Sequence, residues 1–413
     1  MTIILGFLLV LIGLGWFLAA GLVLGHRKPA LTARPDPKKF AVLIPARDES
    51  NVIEHLLKSL AAQNIMSHPS KMFTMRDVYV IVESETDPTV KICRRYGASV
   101  IIRSHPERQR KGYALDEAIK QILAQHPTQT RPFYDLYFIF DADNTLDPDY
   151  FDKMLSSYRQ GYELATGYRH PQNANANVIA AVSSLTFAMI NTVGNVKRTT
   201  RGGNIIFSGT GFYVDGRLVE QWHGWPFHSL TEDYELSLYA ILHGFTTFYN
   251  TQAVFYDEQP TSYLQTIAQR TRWIKGYFSA RAKYIPLMRR ALKRKHGAKN
   301  AGSLRREVIG VKPIILTLVG VILLFLGGLI ELCMNGEVAL AFLSALATFA
   351  AVYFVLMFIT IELIKREKLR LTPEICLKTI LFNPIYLLTY VYCARKALLV
   401  KNVKWTRIEH EGK

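Results

Sequence analysis

The stretch Leu136-Tyr-Phe-Ile-Phe-Asp141-Ala-Asp143 places two acidic residues directly after a short run of five apolar ones. Such a run predicts a buried strand of a parallel sheet. Two carboxylates one residue apart, on the turn that leaves a strand, can both reach one hard divalent cation such as Mg²⁺ or Mn²⁺. The cation would neutralise a diphosphate leaving group. Alone, the same pattern also fits two solvated surface acids.

Three further apolar runs precede this one, and a helical pattern follows each of them. The runs occupy residues 40–46, 78–82 and 98–102, and the helical patterns occupy residues 52–60, 90–96 and 115–124. This alternation predicts an α/β domain with a mainly parallel sheet and an active site at the carboxyl ends of the strands. Neither a G-x-G-x-x-G nor a Walker sequence is present, which argues against hydride transfer and ATP-phosphoryl transfer.

The composition is that of a globular chain with strongly apolar segments. Of its 413 residues 49% are hydrophobic, and 50 Lys and Arg against 33 Asp and Glu give a net charge of +17. This composition excludes a disordered or fibrous chain. The four cysteines, at positions 93, 333, 376 and 393, form neither a disulfide framework nor the paired spacing of a zinc site.

The N-terminal segment predicts a membrane anchor. Residues 3–24 are uncharged and apolar, and His26, Arg27 and Lys28 follow at once. About 20 such residues span a bilayer as a helix. A cleaved signal peptide is the alternative, but its charges would precede a shorter apolar run. We predict an uncleaved transmembrane anchor at 1–25 that leaves the next segment in the cytoplasm by the positive-inside rule.

The C-terminal segment predicts further membrane helices. Two apolar runs, joined by an acidic turn and followed by basic residues, predict a transmembrane hairpin at 313–364. A shorter run interrupted by Asn383-Pro384 predicts a third membrane segment at 375–398, which we favour as re-entrant or interfacial rather than spanning. A basic tail at 399–413 would stay in the cytoplasm. The predicted localisation is therefore the cell membrane, multi-pass, with a cytoplasmic catalytic domain.

Between the membrane segments, residues 38–280 form the predicted soluble domain, and a basic segment follows at 281–312. This segment contains eleven Lys and Arg and one acid, Glu307, with apolar residues interleaved. The pattern predicts an amphipathic segment that lies on anionic lipid headgroups. A nucleic-acid patch is the alternative, but no nucleic-acid-binding motif accompanies it, so we predict no nucleic-acid partner.

Two further motifs suggest chemistry. Thr231-Glu232-Asp233 opens a helical pattern, where it fits either a helix cap or a general base for an attacking hydroxyl. In Gln269-Arg-Thr-Arg-Trp273, the first, fourth and fifth residues lie on one helical face. The Arg of that face can clamp a phosphate and the Trp can stack on a sugar. An interfacial Trp flanked by Arg is the alternative interpretation.

The D-x-D after a strand, the T-E-D, the Q-x-x-R-W and the membrane helices, in this order, resemble membrane-integrated inverting family 2 glycosyltransferases with a GT-A fold. The synthases of cellulose, chitin, hyaluronan and poly-N-acetylglucosamine belong to this group. The similarity extends from Pro45-Ala-Arg-Asp-Glu49 to the C-terminal helices. It implies a UDP-sugar donor, Mg²⁺ or Mn²⁺, and a growing polysaccharide as acceptor. Membrane lipids are expected partners, and so is an accessory protein or a second copy.

The resemblance also assigns roles to residues of this chain. It implies Asp233 as catalytic base, and Asp143 with Asp141 as metal ligands. The residues expected to bind the nucleotide sugar are Pro45, Ala46, Arg47, Glu49, Glu83, Lys111, Asp141, Gln269 and Arg272. The residues expected at the acceptor are Ser208, Gly209, Thr210, Glu232 and Trp273. Glu83 departs from the family pattern, which has Asp there, so the resemblance implies metal use more strongly than a preference for UDP.

The implied reaction is one in-line displacement with inversion, in which Asp233 deprotonates the acceptor hydroxyl while Lys111, Arg272 and the metal stabilise the diphosphate. Three alternatives stay open. The enzyme adds a single sugar to a lipid or lipid-linked acceptor; the chain is a transporter or scaffold that binds a nucleotide sugar without chemistry; or it is a nucleotidyltransferase, which would leave the T-E-D and Q-x-x-R-W unexplained.

Overall fold

An eight-stranded mixed sheet lies at the centre of the structure, a computed structural model that describes residues 7–12, 30–67, 71–126, 131–293, 300–310 and 312–400. The strands are β1 (Phe40–Pro45), β2 (Val78–Val82), β3 (Ser99–Ile102), β4 (Leu136–Ile139), β5 (Thr145–Leu146), β6 (Leu164–Pro171), β7 (Phe212–Asp215) and β8 (Thr247–Asp257). They lie in the order β3-β2-β1-β4-β7-β6-β8-β5. Strands β1 to β4 are mutually parallel, β7 is antiparallel to β4 and β6, and β8 is parallel to β6 and antiparallel to β5.

The first half of the sheet has the predicted alternation of strands and helices. Its helices are α1 (Ile53–Ala61), α2 (Pro88–Arg95), α3 (Lys111–Gln125) and α4 (Tyr150–Arg159). Helix α2 begins where it does because Asp87 accepts a hydrogen bond from the Thr89 amide at 2.8 Å and Pro88 occupies the first turn. Since β2 and β4 flank β1 on opposite sides, a crevice opens at the carboxyl ends of β1 and β4.

Both faces of this half-sheet are covered. Val42, Val80 and Phe138 pack with α1, α2 and α4 on one face. Leu43 and Ile81, one position along their strands, pack with α3 on the other face. Burial on both faces explains why the strands read as continuous apolar runs rather than alternating ones.

The second half carries further helices, of which the sequence patterns indicated only the one that Thr231-Glu232-Asp233 opens and the one that contains Gln269 to Trp273. The further helices are α5 (Val178–Met189), a π-helical continuation (Ile190–Val196), α6 (Lys197–Thr200), α7 (Gly216–Trp222), α8 (Glu232–His243), α9 (Tyr263–Lys293) and α10 (Ala301–Ile309). The continuous stretch Val178–Thr200 is long and apolar enough to cross a membrane, yet more than half of its apolar window is buried within the protein.

Four C-terminal helices complete the described chain: α11 (Lys312–Met334), α12 (Val338–Arg366), α13 (Pro373–Leu387) and α14 (Thr389–Leu399). With Val178–Thr200, the stretches Ile315–Met334, Val338–Arg366 and Pro373–Leu399 make four described helices of sufficient length and apolarity to cross a membrane. Large side chains such as Phe342 and Phe349 are 69% and 68% exposed. Exposed apolar surface on such helices indicates association with a membrane.

The structure bears unequally on two of the predicted membrane segments. Helices α13 and α14 make a 27-residue apolar stretch, so the length of the third C-terminal segment no longer argues against spanning. The predicted anchor at 1–25 falls mainly outside the described residues, of which 7–12 are helical. Residues 401–413 of the predicted tail also fall outside them.

Helix α5 ties the sheet domain to the C-terminal helices. Its Leu185 and Ala188 pack against Leu363 and Ile364 of α12. The Ser183 hydroxyl lies 2.8 Å from the Tyr386 hydroxyl of α13. The C-terminal helices are therefore packed directly on the sheet domain.

The predicted boundary at residue 280 falls inside helix α9, which continues to Lys293. Tyr284, Ile285 and Met288, expected to face lipid headgroups, are buried instead against α8 and α10. The reason is that α8 presents an apolar face of its own, including Leu238, to the same side of α9. The apolar face of the basic segment is thus part of the protein core.

Candidate active site

A cavity of about 750 Å³ opens at the carboxyl ends of β1, β2 and β4. Its wall contains every residue that the resemblance assigned to the site, with the exception of Thr210. Those residues come from segments that are up to 228 positions apart along the chain, from Pro45 to Trp273. The fold therefore brings the predicted motifs to one place.

Charged residues meet where the first three strands end. Glu83, after β2, forms an ion pair with Arg47, after β1. Arg103, which directly follows β3, also reaches Glu83, at 3.3 Å, and pairs with Glu117 at 2.9 Å. Arg103 was not predicted, although its position just after a strand was a usable signal. The two guanidinium groups fix the orientation of the Glu83 carboxylate at this edge of the cavity.

Lys111 begins helix α3 and reaches the D-x-D turn. Its Nζ lies 2.5 Å from Oδ1 of Asp141 and donates a hydrogen bond to the carbonyl of Gly209 at 2.7 Å. Burial alone would lower the pKa of Lys111, but Asp141 and then Glu232 raise it above its usual value. The ammonium therefore stays charged beside the D-x-D turn.

Thr210 does not have the expected position. Its side chain is fully buried, and its hydroxyl accepts a hydrogen bond from the Asp141 amide at 2.8 Å and donates one to Asn144. These contacts lie behind the D-x-D turn rather than on its cavity side. The placement supports a role in holding Asp141, not in touching the acceptor.

The D-x-D turn offers two carboxylates to a metal ion. Whether they suffice depends on the further ligands that a bound substrate would supply. Asp141 and Asp143 both line the cavity, and the side chain of Asp141 is 40% exposed there. Among the residues described, no group of three or more His, Cys, Asp or Glu could hold a metal ion. Mg²⁺ commonly uses one or two carboxylates together with substrate phosphates and water. The donor set therefore fits a divalent ion shared with a bound diphosphate.

The T-E-D motif forms the first turn of α8. Burial, followed by the neighbouring charge of Asp233, raises the pKa of Glu232 to about 7. Burial also raises the pKa of Asp233, partly offset by the backbone N–H of Tyr234 and by Lys111. Thr231 occupies the N-cap position, but its hydroxyl makes no capping bond and has no partner within the described chain. Capping by Thr231 thus does not account for the motif.

Gly209 lies between the two acidic motifs. A Cβ at this position would be 3.7 Å from Oδ2 of Asp233 and 3.9 Å from Oδ2 of Asp141. Its φ of +91° also favours glycine. Both carboxylates therefore face the same small region of the cavity.

Helix α9 closes one side of the cavity. Gln269, Arg272 and Trp273 all line it, as their helical spacing predicts. Burial lowers the pKa of Arg272, while Glu232 and Asp141 act in the opposite direction. The Trp273 ring lies edge-to-face on Phe187, with the ring centres 5.7 Å apart. A cation and a flat ring are thus available on one helical face.

Arg169 is a site residue that sequence reasoning missed. It lines the cavity, pairs with the buried Asp257 and donates a hydrogen bond to the carbonyl of Ser208 at 2.9 Å. The two partners lie on β6 and β8, neither of which was predicted as a strand. No sequence signal pointed to this pair.

The cavity has a second charged region, which we call the arginine cluster: Arg198, Arg281 and Arg306, with Glu307. Glu307 pairs with Arg198 at 3.0 Å and with Arg281 at 3.3 Å. Tyr234, the residue after Asp233, donates a hydrogen bond to Glu307 at 3.4 Å. The cluster therefore adjoins the T-E-D motif.

A family profile described as "Glycosyltransferase like family 2" matches residues 37–276, which is more than half of the chain. The chain belongs to this family. Among curated relatives, the family 2 chain is 25% identical to "Probable glycosyltransferase YdaM" of Bacillus subtilis (strain 168), over 58% of this chain and 55% of the relative. It is 28% identical to "4,4'-diaponeurosporenoate glycosyltransferase" of Staphylococcus aureus (strain bovine RF122 / ET3-1), over 40% of this chain and 43% of the relative. The matches span about half the length of these relatives.

Among solved structures, this family 2 chain is similar to "Mannosyltransferase PcManGT from Pyrobaculum calidifontis in complex with GDP-Man and Mn2+". The TM-score is 0.57 at 16% identity, over 97% of this chain and 100% of the other. At that identity the similarity concerns the fold. It confirms the predicted fold class, a GT-A-type α/β domain with a mainly parallel sheet accompanied by long apolar helices.

Proposed function

We propose that this family 2 member is a membrane-bound, metal-dependent, inverting glycosyltransferase that moves a sugar from a nucleotide sugar to an acceptor hydroxyl. One observation carries the proposal: the carboxylates of Asp233 and Asp141 both face Gly209, and Lys111 binds Asp141 beside them. A base and a site for a diphosphate thus lie on two sides of one open space. A direct displacement requires that arrangement, and it needs no covalent enzyme intermediate.

Asp233 is the proposed base. A base works best when its pKa lies near the operating pH, and burial raises that of Asp233 above the usual range for an aspartate. Its position at the start of α8, close to the cavity face of Gly209, supports contact with an acceptor hydroxyl. Transfer from an α-linked donor would then give a β-linkage.

Lys111, Arg272 and a metal held by Asp143 and Asp141 are proposed to bind the diphosphate. Bound there, Mg²⁺ or Mn²⁺ would supply positive charge as negative charge develops on the leaving group. Lys111 and Arg272 lie close enough to the acidic motifs for Asp141 to shift the pKa of both. Their positive charges would stabilise the leaving diphosphate directly.

The base-binding end of the donor site is proposed at Arg47, Glu83 and Arg103. A UDP-sugar is the donor implied by the resemblance, and Glu83 held by two guanidinium groups offers a carboxylate to the uracil or ribose. The structurally similar mannosyltransferase is described with GDP-Man. A panel of nucleotide sugars therefore has to include both bases.

Two acceptors are proposed. Extension of a polysaccharide is implied by the Q-x-x-R-W resemblance. Single addition to a lipid-linked acceptor is favoured by a specific observation. Arg306 of the arginine cluster lies six residues before α11, an apolar helix that can cross a membrane. One curated relative is a 4,4'-diaponeurosporenoate glycosyltransferase. The chemical step, transfer of a sugar to an acceptor hydroxyl, is the same in both cases.

We also propose that the protein crosses the membrane several times with its sheet domain in the cytoplasm. The three C-terminal apolar stretches, Ile315–Met334, Val338–Arg366 and Pro373–Leu399, support the first part. The basic residues that follow the first apolar run and the C-terminal hairpin support the orientation. The proposed boundaries are those of the sequence analysis, except that α9 crosses the limit at residue 280.

The experiment is a transfer assay with the full-length protein in nanodiscs, with and without Mg²⁺ or Mn²⁺. UDP- and GDP-sugars are supplied with extracted membrane lipids, and nucleotide release and product size are followed together. We expect release from one donor that stops with EDTA. A long polymer would establish processive synthesis, and a short lipid-extractable product would establish single addition. Nucleotide-sugar binding without release, in native membranes as well, would contradict the proposal and favour a binding protein.

A further inference from the structure

The arginine cluster has more positive charge than its own contacts neutralise. Glu307 is nearly buried and faces Arg198 and Arg281, and a second nitrogen of Arg281 donates to the Glu307 carbonyl at 2.5 Å. The carboxylate oxygens of Glu307 are therefore already used. Three guanidinium groups against this one carboxylate leave two positive charges facing the cavity.

Arg306 is the least compensated arginine of the cluster, because Glu307 acts on it only at a distance. Its guanidinium has neither a hydrogen-bond partner nor an ion-pair partner among the residues the structure describes, although it lines the cavity. Burial, and then the like charge of Arg198, lower the pKa of Arg306 to about 10. A structural salt-bridge network explains Arg198 and Arg281 but not a third, partly buried cation placed beside them.

The place of the cluster in the fold indicates which substrate would meet it. Arg306 lies on α10, and α11, which is long and apolar enough to cross a membrane, begins at Lys312. On the other side, Tyr234 accepts a hydrogen bond from Arg281 at 3.3 Å and directly follows Asp233. The donor residues, Lys111 and Arg47, belong to other elements of the cavity wall. The cluster therefore adjoins both the base and the membrane-type helix.

The backbone is also shaped around the cluster. Gly310 has a φ of +59°, and a Cβ there would lie 2.5 Å from Nη2 of Arg281. Glycine at this position therefore lets the guanidinium lie against the α10–α11 connection. Gly310 itself lines the cavity.

We propose that the arginine cluster binds an oxyanion group of the acceptor, a phosphate or a carboxylate, at the end of the cavity next to α11. The inference rests on the proposed function only in taking this occupant to be the acceptor. The planar guanidinium group can bind either a phosphate or a carboxylate through two parallel hydrogen bonds, and the charges strengthen these bonds. The acceptor is thereby an anionic amphiphile whose hydroxyl is presented to Asp233.

The test measures binding rather than transfer. Full-length protein in zwitterionic nanodiscs is titrated with decyl phosphate, decanoate, decanol and inorganic phosphate, and protein-free nanodiscs are subtracted. We expect one or both anionic amphiphiles to bind at least about tenfold more tightly than decanol. A preference for decyl phosphate or for decanoate names the group. Displacement by inorganic phosphate shows that the oxyanion suffices, and its failure to displace shows that the chain contributes.

Arg306→Gln is the main variant, and Arg305→Gln, its exposed neighbour on α10, is the matched control. We expect Arg306→Gln to weaken binding of the anionic amphiphile at least about tenfold and to leave decanol binding unchanged. Arg306→Lys keeps the charge and is expected to lose less affinity for the anionic amphiphile than Arg306→Gln does. Equal binding of decanol and both anions, or equal effects of the two glutamine variants, would overturn the inference.

Thermal unfolding of the same samples verifies that each variant is folded. UDP and GDP binding with Mg²⁺ separates the two proposals. Anion binding that depends on Arg306, without nucleotide binding or transfer, would reject the proposed function and leave the anion site in place. Nucleotide transfer without a preference for anionic amphiphiles would reject the anion site alone.

Discussion

The guanidinium carbon of Arg270 lies 4.1 Å from the centre of the Tyr386 ring. The centre of the Tyr390 ring lies at the same distance from this carbon. The Thr389 hydroxyl accepts a hydrogen bond from Nη1 of Arg270 at 2.6 Å. Arg270 is 1% exposed, and no carboxylate pairs with it in the described ranges. It belongs to the same helical segment as Gln269 and Arg272. One face of α9 thus lines the cavity, while Arg270, on another face, attaches the helix to α13 and α14.

We expect Arg270→Gln to lower the free energy of unfolding by about 2–4 kcal/mol, because a buried cation–π contact and a charged hydrogen bond are both lost. Arg270→Lys should be intermediate, since its ammonium cannot stack as a plane. Thermal unfolding in detergent measures the change. Arg289→Gln, at an exposed position of the same helix, is the control. Equal melting temperatures for the two glutamine variants would contradict the prediction.

Asp233→Asn is expected to reduce kcat by about 100-fold or more, since the amide cannot accept the acceptor proton. Binding of the nucleotide sugar should remain close to that of the unchanged protein. Nucleotide release and calorimetric titration with the donor measure the two effects separately. Asp152→Asn, an exposed acid in the first turn of α4, is the matched control. An equal loss of donor affinity would show that Asp233 binds donor rather than acting as base.

Glu232 should make stability depend on pH. Its pKa in the folded protein is about 7, above the ordinary 4.5, so the folded state holds this proton more tightly than the unfolded chain does. Burying the ionised carboxylate costs the folded state free energy. This cost is absent below about pH 4.5, grows between pH 4.5 and 7, and is fully present above pH 7. Glu232→Gln should therefore add on the order of 2–3 kcal/mol at pH 8 and almost nothing at pH 4.5.

Melting temperatures at the two pH values measure this difference. Glu85→Gln, at a side chain that is 68% exposed, is the control and should change little at either pH. A Glu232→Gln protein that gains no stability at pH 8 would show that Lys111 and Arg272 already balance the carboxylate.

Gly310→Ala is expected to displace the Arg281 guanidinium, because the new methyl would lie 2.5 Å from Nη2. Binding of the preferred anionic amphiphile should fall several-fold, while nucleotide binding should be retained. Gly336→Ala is a useful control, since Gly336 also has a positive φ, of +81°, but a Cβ there would meet nothing within 4 Å. Equal effects of the two substitutions on anion binding would assign the loss to backbone strain alone.

The sequence predicted the parts of the fold that rest on local patterns. The four parallel strands, the helices between them and the convergence of D-x-D, T-E-D and Q-x-x-R-W on one cavity are all found in the structure. Burial on both faces made those strands readable as apolar runs. The position of Thr210 could not be read in this way, because it depends on the packing of β7 against β4.

The second half of the sheet, which mixes parallel and antiparallel pairs, and its charged residues were not predictable from local patterns. Arg169 and Asp257 meet only because β6 pairs with β8, with a shift of register after Gly167. Val178–Thr200 was not predicted as a membrane span, because Ser183, Ser184 and Asn191 interrupt its apolar residues. Arg198 and Arg306 likewise come together through tertiary packing, whereas the basic composition of residues 281–312 alone placed Arg306 on a lipid surface.

The packing of α5 on the C-terminal helices has a consequence for biosynthesis. Ser183 contacts a tyrosine that lies 203 residues later in the chain. At translation rates of about 5–20 residues per second, roughly 10–40 s separate the synthesis of the two partners. During that interval the apolar face of α5 has left the ribosome while its cover does not yet exist. We therefore expect a chaperone or the membrane-insertion machinery to shield the nascent helix until the last helices are made.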